Sequence, residues 1–161
     1  NTQPHGSYLR PVNPIAATLG MTNASFVAQT ADWIPSHLFE TLKAGFHHKG
    51  FAFVRILQRC PIWTAHLFEE AVRTPDATEF LVHGDGFWAK SPDDIYRRTV
   101  YHDPTDLDMA RWRAERTDRI RLGVYYRNTG APRYDEIRNL PTHSSEEMVE
   151  VLGEELDRFA V

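Results

Sequence analysis

Cys60 is the single cysteine of this 161-residue chain, and it ends the run Phe51-Ala52-Phe53-Val54-Arg55-Ile56-Leu57-Gln58-Arg59-Cys60-Pro61. The run is apolar enough to predict a buried strand that finishes on one thiol. A thiol in that position has three readings: a small apolar side chain that packs well, a nucleophile, or a metal ligand. A nucleophile needs a neighbouring base, and the nearest downstream histidine, His66, follows a proline turn where no spacing rule fixes it. An iron–sulfur cluster needs about four thiolates, so this chain supplies one at most and the rest come from elsewhere.

The eight histidines raise the question of a metal site. No HExxH occurs, and the pairs His47-His48 and His102-Asp103 lack the spacing that would put two ligands on one helix face. His47 and His48 are predicted in the last turn of their helix, at the surface, where a positive charge suits the helix dipole. Gly84-Asp85-Gly86 reads as a tight turn, because one aspartate after a strand is a poor magnesium site. Trp33, Trp63, Trp88 and Trp112 read as core or interface material, and Arg111 to Arg121 as a solvated face of mixed charge.

These residues must be held by a particular set of elements. Asn13 as N-cap, Pro14 at the first helical position and Gly20 at the end bracket a short helix, Ile15 to Leu19. Ser25 to Thr30 reads as a strand. A helix follows from Pro35, with Leu38, Phe39, Leu42 and Phe46 as its core-facing stripe, until Gly50 stops it. Phe51 to Leu57 completes a strand–helix–strand unit, which predicts an α/β fold with parallel strands. Downstream, helices are predicted over Thr64 to Arg73, Asp93 to Tyr101 and Thr105 to Arg116, and strands over Glu79 to His83 and Ile120 to Tyr126. Gly130-Ala131-Pro132 breaks the chain, and Ser144 with Glu147 forms a capping box. It opens a helix whose Met148, Val151, Leu152, Leu156 and Phe159 form a stripe that should dock.

The chain is 42% hydrophobic with a net charge of −4, enough for one globular domain with a core. No apolar stretch reaches the ~20 residues of a membrane helix, and no Lys/Arg run argues for nucleic acid, so neither a membrane nor a nucleic-acid partner is expected. One cysteine forms no internal disulfide, which fits a reducing compartment and a cytoplasmic location. Asn1 leads directly into the turn-rich Thr2-Gln3-Pro4-His5-Gly6-Ser7, as though the chain began inside a domain. No repeat, low-complexity tract or flexible linker is evident.

Several segments together resemble the thiamine-diphosphate-binding (beta) subunit of 2-oxoacid:ferredoxin oxidoreductases, specifically its C-terminal half. The resemblance is carried by Arg10-Pro11-Val12-Asn13-Pro14, Ser25-Phe26-Val27-Ala28-Gln29, and the pattern from Lys49-Gly50-Phe51 to Cys60-Pro61. It continues through His102-Asp103-Pro104, Leu122-Gly123-Val124-Tyr125-Tyr126-Arg127 and Tyr134-Asp135. It implies an α/β architecture. Residues 1–63 would be the C-terminal part of a parallel-sheet domain that binds thiamine diphosphate, and 64–161 a mixed, helical C-terminal extension packed on it. It also implies oxidative decarboxylation of a 2-oxoacid, 2-oxoglutarate or pyruvate, to an acyl-CoA, with electrons passing through a 4Fe-4S cluster to ferredoxin.

One residue role carries over: Cys60 matches a ligand of that cluster. The family's other three cluster cysteines, and its diphosphate and Mg2+ motif, lie upstream of the region resembled, so thiamine diphosphate and Mg2+ are bound mainly outside this segment. No catalytic acid or base and no cofactor-binding residue is assigned here. The implied partners are the missing N-terminal half of the subunit, an alpha subunit that grips the pyrimidine and CoA, and ferredoxin. A non-oxidative thiamine-diphosphate decarboxylase subunit and a non-catalytic α/β scaffold are the rival readings; in the first, Cys60 is only core.

Overall fold

A computed structural model describes residues 8–62, 66–84, 98–139 and 143–159. The chain separates into two compact units, Asn1–Ala131 and Pro132–Val161. The boundary falls at the Gly130-Ala131-Pro132 break.

The first unit is built on a five-stranded sheet. Its strands are β1 (Ala24–Ala31), β2 (Phe51–Leu57), β3 (Thr78–Val82), β4 (Thr99–Tyr101) and β5 (Ile120–Arg127), in the order β2-β1-β5-β3-β4. β1 and β2 are parallel and joined by the crossover helix α2 (Pro35–His47), which is the predicted strand–helix–strand unit. β5 runs antiparallel to β1 but parallel to β3, which in turn is parallel to β4. The fold is therefore α/β as expected, with one antiparallel step at the centre of the sheet.

α1 (Pro14–Leu19) starts as its sequence dictates. The Asn13 side chain accepts from the Ala16 amide at 3.3 Å, and its Nδ2 donates to the Ala114 carbonyl at 2.6 Å, which ties α1 to the end of α4 (Leu107–Glu115). Ile15, Leu19, Val27, Leu81, Ala110, Ala114 and Tyr125 form the core on this face of the sheet. On the opposite face Phe26, Ala28 and Val124 meet Ala44 of α2. The close approach of α2 relies on Gly45, where a Cβ would come within 3.3 Å of the Val54 side chain. Gly123 in β5 has φ +131°, and a Cβ there would sit 2.8 Å from the Leu81 carbonyl oxygen, so only glycine fits.

Several expectations are corrected. α2 does not turn Phe39, Leu42 and Phe46 inward; they are 64%, 43% and 85% exposed, while His37 and Thr41 face the sheet. Small and polar side chains permit the tight contact with β1 and β2 that three bulky ones would prevent. β2 is the outer strand and is largely uncovered rather than buried, with only its last residue, Leu57, in the core. Thr99–Tyr101, expected to end a helix, is a strand: Thr-Val-Tyr pairs with Phe80, Leu81 and Val82 of β3, and this pairing overrides the helical charge pattern. The rest of that predicted helix, like Asp85, Gly86, Trp63 and Trp88, lies outside the described residues. In the Thr64 to Arg73 stretch, α3 covers only Glu69–Arg73, because Phe68 adopts the left-handed region at φ 67°. The Arg111 to Arg121 stretch is not uniformly solvated. Arg121 is buried, with its Nε 2.8 Å from Glu79 Oε2 and its NH2 3.0 Å from Asp118 Oδ1.

The second unit contains α5 (Tyr134–Arg138) and α6 (Ser145–Phe159). The predicted capping box of α6 is formed: Ser144 N–H donates to Glu147 Oε2 at 2.7 Å, and Glu147 N–H donates to Ser144 Oγ at 3.2 Å. The stripe of α6 expected to dock is exposed along its length, from Met148 to Phe159. Among the described residues no helix is long and apolar enough to cross a membrane.

Candidate functional site at the carboxyl ends of the parallel pair

β1 and β2 run in register to their carboxyl ends, where Ala31 pairs with Leu57 and the Asp32 N–H donates to the Leu57 carbonyl at 2.9 Å. The two loops that leave these ends therefore travel side by side. In open α/β sheets, ligands are generally bound in the crevice beyond the carboxyl ends of the strands.

Arg59 joins the two loops. Its N–H donates to Asp32 Oδ2 at 3.3 Å, its Nε lies 3.6 Å from Asp32 Oδ1, and its guanidinium carbon sits 5.6 Å from the centroid of the Trp33 ring. Trp33 in turn packs at a tilt against Phe68, ring centroids 5.4 Å apart. Both charged side chains are about one-third exposed, so the ion pair is worth at most about 1 kcal/mol. Its contribution is position. It pins the residue immediately before Cys60, while Pro61 restricts Cys60 itself to extended backbone.

Cys60 thus sits in a half-buried loop three residues beyond the end of β2, not at the end of a buried strand. Asp32, Trp33 and Arg59, which hold this loop, were not singled out from the sequence. The only signal was that Arg59 adjoins Cys60 and Asp32 directly follows an apolar strand.

The other candidate residues are placed apart in function. His66 is mostly exposed, with Nδ1 3.4 Å from Glu69 Oε2. His47 is at the surface as expected, but His48 lies past the helix end, half-buried, with Nε2 3.0 Å from Ser25 Oγ and its ring on Phe26. Burial, and then the charge of Arg127, hold its pKa below the ordinary value, which argues against the cationic role expected of it. His102 is buried, lowered in pKa chiefly by that burial, and donates from Nε2 to the Tyr125 carbonyl at 2.6 Å. With Arg127 N–H on the Pro104 carbonyl at 2.7 Å, this fastens His102-Asp103-Pro104 to β5. Among the described residues no three His, Cys, Asp or Glu side chains are grouped to hold a metal ion. A metal centre at Cys60 would thus take one ligand from here, as a shared cluster requires.

A second feature is an open cavity of about 690 Å³ against the sheet face that carries Gln29, Arg55 and Tyr125. Arg55 donates to Gln29 Oε1 at 3.1 Å, and Gln29 Nε2 donates to the Arg121 carbonyl at 2.8 Å. The Tyr125 hydroxyl donates to the same carbonyl at 3.2 Å. Burial pushes the Tyr125 pKa up to about 12, so its hydroxyl stays protonated and remains a donor. This polar floor was also missed in the sequence, because Gln29 and Arg55 stand in strands that otherwise read as core.

No family model matches the chain. Among curated proteins it is similar to 2-oxoglutarate oxidoreductase subunit KorB of Mycobacterium tuberculosis, with 31% identity over 160 residues that cover 83% of this chain and 42% of that protein. The chain belongs to the β-subunit family of the 2-oxoacid:ferredoxin oxidoreductases. A second β subunit of this family, 2-oxoacid:ferredoxin oxidoreductase subunit beta from a Sulfolobus species, is 28% identical over 129 residues, covering 78% of this chain and 38% of its own length. Its counterpart from Aeropyrum pernix is 30% identical over 129 residues, covering 78% and 37%. The chain spans about two fifths of the length of these β subunits. Among solved structures, a 2-oxoglutarate:ferredoxin oxidoreductase from Magnetococcus marinus, with 2-oxoglutarate, coenzyme A and succinyl-CoA bound, superposes with a TM-score of 0.61. That match covers 94% of this chain and 48% of the other at 24% identity, and it shows a shared fold.

Proposed function

We propose that this chain is part of the thiamine-diphosphate-binding subunit of an enzyme that oxidatively decarboxylates a 2-oxoacid to an acyl-CoA, and that Cys60 is one ligand of its 4Fe-4S cluster. The thiol belongs to the pattern by which the chain resembles the family. The observation that carries the reading is its placement, half-exposed, in a pinned loop just beyond the carboxyl ends of two parallel strands. An oxidoreductase built around a 2-oxoacid and ferredoxin is supported by the names of the curated relatives.

When bound, a 4Fe-4S cluster accepts and passes on single electrons. The chain's own share is to hold the thiol. Arg59 and Asp32 fix the loop, Pro61 fixes the backbone at Cys60, and Trp33 and Phe68 form an apolar wall beside Arg59 that lowers solvent access. Thiamine diphosphate and Mg2+ would be held by the part of the subunit beyond this chain. An alpha subunit is the expected partner, since the relatives are named as β subunits, and ferredoxin is the expected acceptor.

The reading is tested by Cys60→Ser in the assembled enzyme, purified anaerobically. The expected result is loss of cluster iron and of its electron paramagnetic resonance signal, with ferredoxin reduction down at least about 100-fold, as expected when a metal ligand is removed. Circular dichroism should be unchanged, because Cys60 is half-exposed. Full iron content and normal ferredoxin reduction would sink the assignment and leave the decarboxylase or scaffold reading.

A further inference from the structure

The outer side of β2 and the outward face of α2 form one apolar surface. Phe39 and Phe46 of α2 are 64% and 85% exposed, and Phe51 and Ile56 of β2 are 46% and 44% exposed. Beyond β2, Ile62 is 80% exposed. A parallel strand that is apolar on both faces, as Phe51–Leu57 is apart from Arg55, is the sequence of an interior strand with layers above and below it. Here it occupies the edge of the sheet.

The unpaired backbone can be located. Leu57 accepts from Asp32 N–H, and the Phe51 carbonyl accepts from Ser25 Oγ, so odd-numbered residues of β2 direct their backbone groups toward β1. By the alternation of a parallel ladder, Ala52, Val54 and Ile56 direct their N–H and C=O groups outward. An edge of this kind is a template for another strand. α2 agrees: it meets the sheet with His37, Thr41 and Gly45 and sends its bulky stripe the other way.

We infer that the portion of a β subunit outside this chain's match docks here, adding a strand beside β2 and a layer across Phe39 and Phe46. Length argues for that occupant over a second copy of the chain. More than half of each curated β subunit lies beyond the matched region and has to be seated somewhere. The largest described apolar face of the first unit flanks the sheet edge at which such a subunit would continue. This goes beyond the role given to Cys60, and the iron measurement does not read it.

The test introduces the photo-crosslinker benzoylphenylalanine in place of Phe46 or Phe39 in the gene as its own cells carry it, and sequences the crosslinked peptides by mass spectrometry. Both positions are exposed, so the fold tolerates the replacement. The expected result is that both couple to peptides that align with the unmatched portion of the β-subunit relatives. Coupling only to residues 8–159 of this sequence, in the same or a second copy, or to a protein with no such alignment, or no coupling at all, overturns the inference.

Residue-resolved hydrogen exchange on the same assembly tests the added strand separately. If the edge is paired, the amides of Ala52, Val54 and Ile56 exchange within about threefold of Phe53 and Arg55; rates tenfold or more faster exclude an added strand.

Discussion

Phe26 and Phe46 are the same side chain placed on opposite sides of one helix. Phe26 projects from β1 into the space beneath α2 and is 1% exposed; Phe46 projects from α2 away from the sheet and is 85% exposed. The middle of the sheet repeats the contrast, since β1 is buried over nearly its whole length while β2, its parallel neighbour, is buried only at Leu57. Both strands are written in apolar residues. What separates them is the presence of covering layers, which teaches that the β1/β5 centre is complete within this chain and the β2/α2 side is not.

The strongest way to test that comparison is to hollow out the covered side. Phe26→Ala should cost about 3–5 kcal/mol of unfolding free energy, measured by urea denaturation of the chain, because the surrounding core relaxes only partly around the void. A cost under about 1 kcal/mol would mean the core between β1 and α2 is not packed as described.

A second effect comes from the polar contact that lets α2 lie so close. His37 is buried, Thr30 and Thr41 hydroxyls are 2.8 and 3.3 Å from its Nδ1, Phe80 is against its ring, and burial lowers its pKa from 6.5 to about 4. The unfolded chain takes up the proton near pH 6.5 and the native one only near pH 4. The neutral form therefore favours folding above pH 6.5, and stability is lost as pH falls from about 6.5 to about 4, by roughly 3 kcal/mol in all. Burial lowers His48 and His102 as well, which adds to the slope in the same direction. Urea midpoints at pH 7 and pH 4.5 should thus differ less in His37→Leu than in the native sequence; equal pH slopes would remove His37 from the account.

The smallest effect is expected on the uncovered side. Phe46→Ser should change the stability of the chain by no more than about 0.5 kcal/mol, as surface substitutions do. The same substitution in the assembled enzyme should cost clearly more if a second layer covers it. Equal small losses in both would leave the outward face without a partner.

Much of this architecture was legible because local signals are strong. Asn13-Pro14, the Ser144/Glu147 capping box, and the apolar runs of β1, β2 and β5 each specify their element from neighbours a few residues away. Thr99–Tyr101 was not legible, since three residues acquire strand character only by lying beside β3. The orientation of α2 was misread for a related reason. Periodicity reports that Leu38, Phe39, Leu42 and Phe46 share a side, but not whether that side meets this chain's sheet or another layer.

At the candidate site, the sequence pointed to Cys60 through its pattern with Lys49-Gly50-Phe51 and Pro61, and to nothing that holds it. Asp32 and Arg59 are joined across the ends of two strands, a contact that no local spacing encodes. The same is true of Gln29 and Arg55, brought to one cavity wall by the register of β1 on β2.

The sequence by itself determined where the strands and helices begin and end, that the fold is α/β, and which family pattern the thiol belongs to, because capping, periodicity and residue order are properties of neighbours along the chain. Only the tertiary structure decided that β5 enters antiparallel to β1, that α2 turns its aromatics outward, and that Arg59 pins the Cys60 loop to Asp32. Those are outcomes of competition among distant surfaces for the same partners, and the winner depends on how closely each can approach.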